Sequence, residues 1–253
     1  MYIVTEDYES RGKFSVLGPL SVYETGSPNE NGNILLYCPD GFGHALHNQY
    51  LADRFAECGW QVILPDYYEG DPVPLEHLDW DQSKSLEEQG WNEEQLGRMR
   101  SFSLDTWLRV HNMTRIQMLL KDCVHAIQQS YPGTSISAIG FCTGGKQSLL
   151  LASWAVKAAA IFHPSFVKEE DIHGISVPLY IGLGEKDQMV PSTLKEDLER
   201  WLSASKVRGF TISVYPGMDH GWTIRPDNDD PEIRHQCKQA FEDAVKFLSS
   251  FKA

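Results

Sequence analysis

The sequence predicts an α/β fold with a mostly parallel central sheet and helices on both of its faces. Continuous apolar runs such as Asn33–Cys38 are typical of strands buried on both sides. They alternate with segments of helical periodicity over connections short enough for βαβ units. A third observation is the turn at residues 140–145, Gly-Phe-Cys-Thr-Gly-Gly, between an apolar run and a helical segment. We therefore expect a single α/β domain over residues 1–253.

The elements follow from apolar periodicity and from the residues that start and stop helices and strands. The polar, turn-rich residues 1–33 predict short edge strands. Further along we expect strands at 33–38, 61–64, 135–139, 158–162, 178–183 and 210–215, helices near 48–58, 113–127, 146–155 and 191–202, and a C-terminal helix from Asp230-Pro231.

Residues 67–107 interrupt this alternation. The segment is acidic and aromatic, with Tyr67, Tyr68, Trp80 and Trp91, and it contains two prolines. It predicts an excursion over the body of the domain with a short helix near residues 93–100, and no large separate cap domain.

Charge and cysteine content narrow the class of protein. The 22 Lys and Arg against 35 Asp and Glu give a net charge of −13, which disfavours nucleic acid and anionic membranes as partners. No signal peptide is visible, and the five cysteines are odd in number and widely spaced, which favours a reducing, cytoplasmic location. The nine histidines lack metal-ligand spacing, so we expect no metal and no cofactor. A monomer or weak homodimer is expected.

Five candidate functional residues share one position. Asp40, Cys142, His163, Asp187 and His220 each follow the carboxyl end of a predicted strand, the edge where open α/β sheets bind ligands. Cys142, Asp187 and His220 follow the chain order nucleophile, acid, base, and the glycine-flanked turn is typical of a nucleophile elbow. The structural alternatives are a buried packing cysteine, a turn or N-cap aspartate and a loop histidine.

Three motifs together resemble the dienelactone hydrolase family, which belongs to the α/β-hydrolases and uses a cysteine nucleophile. They are residues 140–145, Gly-Glu-Lys-Asp at 184–187 and Met-Asp-His-Gly-Trp at 218–222, with Asp-Gly-Phe-Gly at 40–43 as an early loop. The aromatic excursion is more similar to fungal members. The resemblance implies hydrolysis of esters or lactones through a thiol acyl-enzyme on Cys142, with His220 as base and Asp187 as its orienting acid.

The resemblance also implies the rest of the site. The amides of Gly41 and Thr143 would form the oxyanion hole. Asp40 stands where the family places a glutamate beside the thiol, but it is shorter by one methylene, and a turn residue is the alternative. Arg225 either binds a substrate carboxylate or pairs with the acidic residues 227–230. The candidates for a second arginine are Arg98, Arg100 and Arg109.

Three further residues are expected to line the substrate pocket: Phe42, His163 and Trp222. For His163 a structural role is the alternative.

The leading hypothesis is therefore a hydrolase for a small-molecule ester or lactone. Two alternatives stay open. One is a biosynthetic thioesterase or lactonase acting on a polyketide-like substrate, which the aromatic excursion motivates. The other is a ligand-binding protein that keeps the fold without turnover.

Overall fold

The computed structural model describes residues 8–27, 32–78, 80–81, 83–225 and 230–252. Its strands are β1 Lys13–Leu17, β2 Leu20–Thr25, β3 Asn33–Cys38, β4 Gln61–Pro65, β5 Ser135–Phe141, β6 Ala159–Phe162, β7 Leu179–Gly184 and β8 Phe210–Tyr215. They form one sheet in the order β1-β2-β4-β3-β5-β6-β7-β8. The β1–β2 and β2–β4 pairs are antiparallel, and the other five pairs are parallel. The predicted mostly parallel sheet is confirmed.

The helices are α1 Leu46–Glu57, α2 Glu93–Ser101, α3 Leu104–Val110, α4 Met113–Ser130, α5 Thr143–Leu151, α6 Leu194–Ala204 and α7 Pro231–Ser249. Short 3₁₀ turns lie at Leu75–His77, Leu86–Glu88 and Glu169–Ile172. Helix α7 begins as predicted, with the Asp230 side chain accepting hydrogen bonds from the amides of Glu232 and Ile233. Helix α3 was not predicted, because its seven residues are too few to show a period.

Alternate residues of the central strands face two separate cores. Ile34 and Leu36 of β3 pack in the core that contains residues of α4, α5 and α6. Leu35 and Tyr37 point to the opposite core, which contains residues of α1 and α7. There the rings of Phe55 and Phe241 lie 4.8 Å apart. Helices therefore cover both faces of the sheet, and the carboxyl ends of the parallel strands meet at one edge.

The excursion between β4 and α4 lies on the body of the domain, with no separate cap domain among the described residues. The Tyr67 hydroxyl donates to the backbone oxygen of Pro39 (2.6 Å), at the end of β3. Trp107 Nε1 donates to the backbone oxygen of Asp71 (2.7 Å). These two hydrogen bonds, the first buried and the second partly buried, hold the aromatic part of the excursion beside the loop after β3.

Across the described ranges, no helix has both the length and the apolar character needed to cross a membrane.

Candidate active site

Cys142 stands at a sharp turn between β5 and α5. Its backbone is in the positive-φ region (φ 56°, ψ −120°), which costs energy for any residue except glycine. A Cβ on Gly140 would lie 2.1 Å from the carbonyl oxygen of Gly144, and one on Gly144 would lie 2.1 Å from that of Cys38. Only glycine fits at these two positions, and the thiol is held at the N-terminus of α5, as an elbow requires.

His220 and Asp187 form a buried pair next to this thiol. His220 Nδ1 lies 2.8 Å from Asp187 Oδ2, and the Asp187 side chain is fully buried. Burial lowers the pKa of His220, but the hydrogen bond to Asp187 and the neighbouring Cys142 sulfur outweigh it and raise that pKa to about 9. Nε2 is buried without a hydrogen-bond partner in the described part of the chain, although the Cys142 sulfur is close enough to raise the pKa of the ring.

His163 connects the elbow to the segment that follows His220. Its Nδ1 accepts a hydrogen bond from the backbone amide of Cys142 (3.2 Å), and its Nε2 lies 2.7 Å from Thr223 Oγ1. Burial and the positive charges of His220 and Arg225 keep the pKa of His163 well below its usual value. The ring is therefore neutral, with Nδ1 as acceptor and the proton on Nε2. Direct contact with a substrate stays a prediction.

Two residues near the thiol were missed from the sequence. Ser165 is fully buried, with its Oγ 3.4 Å from Cys142 Sγ. The Tyr68 hydroxyl lies 2.8 Å from the Oγ1 of Thr143. The available signals were the position of Ser165 just past the end of β6 and the aromatic pair at the start of the excursion.

Asp40 is fully buried in the loop after β3. Its carboxylate accepts hydrogen bonds from the Phe42 amide (3.1 Å) and from Asn48 Nδ2 (2.8 Å). It also pairs with His47 Nε2 (3.3 Å) and Arg225 Nε (3.4 Å). Burial raises the pKa of Asp40, but these partners outweigh burial and hold the pKa below its usual range. No hydrogen bond from Asp40 to Cys142 occurs among the described residues, and a role of Asp40 beside the thiol stays a prediction.

Arg225 lies in the same cluster as Asp40. Its guanidinium lies 5.0 Å from the centre of the Phe42 ring, within cation–π range. Of the acidic residues 227–230 that were predicted as its alternative partners, residues 227–229 lie outside the described residues, and the Asp230 side chain caps α7. Trp222 packs in the core, with its ring 4.6 Å from that of Tyr215. Substrate contacts by Arg225, Phe42 and Trp222 stay predictions.

The backbone amides next to the thiol differ in whether they already donate a hydrogen bond. In the loop after β3 the Phe42 amide is bonded to the Asp40 side chain, and the Gly43 amide to the Asp40 carbonyl (3.1 Å). The Gly41 amide has no partner in the described ranges. The Thr143 amide is at the first position of α5, where helices leave N–H groups without intrahelical partners. Within those same ranges no group of three or more His, Cys, Asp or Glu could hold a metal ion.

The sheet order, the elbow after β5 and the acid and base after β7 and β8 define an α/β-hydrolase. The sequence pattern of the dienelactone hydrolase family matches residues 21–252. The chain therefore belongs to the dienelactone hydrolase family and is a hydrolase acting on ester or lactone bonds.

Relatives agree with this assignment. The chain is 28% identical to the hydrolase tropI of Talaromyces stipitatus over 95% of its own length and 91% of that protein. It is 21% identical to the carboxymethylenebutenolidase homolog of Mus musculus over 97% and 93% of the two chains. The fold is similar to that of a dienelactone hydrolase from Anabaena variabilis, with TM-score 0.60, 14% identity and coverage of 92% and 95%.

Proposed function

We propose that Cys142, His220 and Asp187 act as a catalytic triad that hydrolyses a small ester or lactone through a thioester on Cys142. One observation carries the proposal. The histidine beside the strained Cys142 holds a fully buried aspartate through Nδ1, while its Nε2 is buried without a partner. A base oriented through one nitrogen and free at the other is the arrangement that a thiol nucleophile needs.

In the proposed reaction the thiol proton moves to His220 Nε2, and the sulfur forms a bond to the substrate carbonyl carbon. The imidazolium then gives its proton to the leaving alkoxide as the ester bond breaks. Water, deprotonated by His220, attacks the thioester and releases the carboxylic acid and the thiol. The raised pKa of His220, about 9, supports the first of these proton transfers, because the ring holds a second proton more tightly than an ordinary histidine does. The N-terminus of α5 favours the resulting thiolate.

The negative oxygen of the tetrahedral intermediate is proposed to bind the amides of Gly41 and Thr143. Of the loop amides at 41–43, those of Phe42 and Gly43 are already bonded to Asp40, which leaves the Gly41 amide to donate. Asp40 is proposed to fix this loop. Amides held in place before the reaction stabilise developing charge without reorganisation.

His163 is proposed as a positioning residue. Its neutral ring holds the Cys142 amide from one side and Thr223 from the other, so it connects the elbow to the segment after His220.

Two alternative functions stay open. The same hydrolytic chemistry could act on a biosynthetic, polyketide-like substrate. The second alternative is a protein that binds a ligand without turnover.

The test is turnover of p-nitrophenyl acetate and of a dienelactone by the protein and by Cys142→Ala. We expect kcat/KM to fall at least about 1000-fold in the variant, since the nucleophile is lost. Mass spectrometry of the wild-type protein, quenched during turnover, is expected to show an acyl group on Cys142.

Cys58→Ala is the matched control, because Cys58 is the other partly exposed cysteine of the chain. It should turn over both substrates at the wild-type rate. Equal turnover by Cys142→Ala and the wild type would refute the nucleophile assignment. Absence of turnover in every protein would favour the ligand-binding alternative.

A further inference from the structure

The excursion between β4 and α4 encloses a cleft of about 660 Å³. Its walls are largely apolar, with Val73, Trp91 and Phe102, and Gln95 and Ser101 add polar groups. Sites for small molecules are typically 300–1,000 Å³ in volume, apolar and aromatic, with a few polar groups. The cleft has the size and lining of a ligand site, and none of the catalytic roles proposed above uses it.

Val73 joins this cleft to the proposed oxyanion loop. The Val73 amide donates a hydrogen bond to the Gly41 carbonyl oxygen (2.9 Å). A Cβ on Gly41 would lie 3.1 Å from Val73 Cγ2 and 3.8 Å from the Trp107 ring. Gly41 therefore meets the cleft wall through its carbonyl oxygen, while its N–H, in the preceding peptide unit, is the group proposed to bind the reacting oxygen. Val73, which lines the cleft, thus contacts a residue of the proposed oxyanion hole.

Charge on the cleft wall selects against anions. The Glu76 side chain is 4% exposed and pairs with Arg98, whose Nε donates to Glu76 Oε1 (3.1 Å). Arg98 also bonds Glu94 (2.7 Å), so one cation is shared by two carboxylates. The second oxygen of Glu76, Oε2, is buried without a hydrogen-bond partner among the described residues. Asp71 also lines the cleft, so its wall carries two carboxylates against one guanidinium, and this net negative charge disfavours a ligand that is itself an anion.

We propose that the cleft binds an aromatic part of the substrate that carries no negative charge, remote from the carbonyl that reacts. This inference rests on the proposed function, and it names a substrate class for it: esters that carry a ring system without negative charge on a flexible arm. Trp91 and Phe102 supply flat apolar surface for the ring, and the Val73–Gly41 contact sets the direction from which the arm reaches Cys142.

The kinetic test compares p-nitrophenyl acetate with two naphthyl esters. One is p-nitrophenyl 4-(2-naphthyl)butanoate, and the other is 4-(2-naphthyl)butyl acetate, so the ring is placed once on the acyl side and once on the alcohol side. Ser101→Trp fills the cleft. For each naphthyl ester, the measured quantity is its kcat/KM divided by the kcat/KM for p-nitrophenyl acetate. In Ser101→Trp we expect at least one of these two ratios to be at least tenfold lower than in the wild type. Both ratios staying within twofold of wild type would overturn the proposal.

Ser176→Trp is the matched control. Ser176 lines a separate cleft of about 500 Å³ beside α6, and the same substitution there should leave both ratios unchanged. Thermal melting of both variants checks that each is folded.

A binding test keeps the inference separate from the catalytic proposal. Calorimetry with Cys142→Ala and each naphthyl ester is expected to show binding, and adding Ser101→Trp should raise the Kd at least tenfold for the preferred ester. If no ester is turned over, the proposed function fails, while calorimetry still decides the cleft. Failure of both esters to bind, or an unchanged Kd after adding Ser101→Trp, would overturn the cleft proposal.

Discussion

Two histidine–aspartate pairs of nearly equal length lie in different regions of the protein. At the carboxyl edge of the parallel strands, His220 Nδ1 lies 2.8 Å from Asp187 Oδ2. In the excursion, His111 Nε2 lies 2.9 Å from Asp71 Oδ2. In both rings the other nitrogen is buried without a partner among the described residues. By distance and hydrogen bonding the two pairs are alike.

The two pairs differ in the solvent exposure of the aspartate and in the residues that surround the histidine. The Asp187 side chain is fully buried and also accepts a hydrogen bond from the Met189 amide (2.9 Å), whereas the Asp71 side chain is 69% exposed. A carboxylate shielded from water acts on its histidine at low dielectric, and an exposed one is screened. His220 has the Cys142 sulfur as a neighbour, and His111 packs against Tyr68 and Trp107 instead. A short His–Asp distance alone therefore does not define a catalytic pair.

The largest effect expected from this comparison is on catalysis. Asp187→Asn should lower kcat for p-nitrophenyl acetate by about 10³- to 10⁴-fold, because an amide neither holds the required tautomer nor stabilises the imidazolium. Asp71→Asn makes the same chemical change in the other pair and should alter kcat less than about threefold. Steady-state kinetics of the two variants decides this. Similar losses in both would mean that burial is not what distinguishes the pairs.

The next effect is on stability and compares glycines of the same two regions. In Gly144→Ala the new Cβ would lie 2.1 Å from the Cys38 carbonyl oxygen, so the elbow must shift. We expect a loss of about 3 kcal/mol or more in the free energy of unfolding. In α2 of the excursion, a Cβ on Gly97 meets no atom within 4 Å, and Gly97→Ala should stabilise the protein by about 0.5–1 kcal/mol. Urea unfolding measures both, and a tolerated Gly144→Ala would contradict the elbow geometry.

The smallest effect is on the pH dependence of stability. The pKa of His220 is about 9 in the folded protein against 6.5 for an ordinary histidine. Because the folded state holds the proton more tightly, the stabilisation is complete below pH 6.5 and is lost as pH rises through about 9. The difference of about 2.5 between the two pKa values corresponds to about 3 kcal/mol at most, at about 1.4 kcal/mol per pKa unit.

Unfolding at pH 6 and pH 10 tests this expectation. Asp187→Asn should be less stable than the wild type by a larger margin at pH 6 than at pH 10. Asp71→Asn, measured in the same way, is the comparison from the pair whose carboxylate is exposed. A margin for Asp187→Asn that does not change with pH would contradict the assigned role of the pair.

Much of the fold could be predicted from the sequence, because the signals for strand and helix boundaries are local. Strand β3 has its predicted bounds, and α7 begins at the predicted Asp230-Pro231. Helix α5 begins at Thr143, three residues before the predicted segment, because Gly144 and Gly145 are part of the helix. Gly144 and Gly145 allow close packing within the helix and do not mark its boundary. Apolar periodicity alone could not distinguish these two roles of a glycine.

The sequence by itself determined the fold class and placed Cys142, Asp187 and His220 after three parallel strands, because apolar period, glycine position and chain order are properties of the chain. Only the tertiary structure decided which groups surround them. The partners of Asp40, the neutral ring of His163 and the Val73–Gly41 contact depend on residues brought together from distant segments. The strength of each polar contact also depends on burial, which the fold sets and a local pattern does not record.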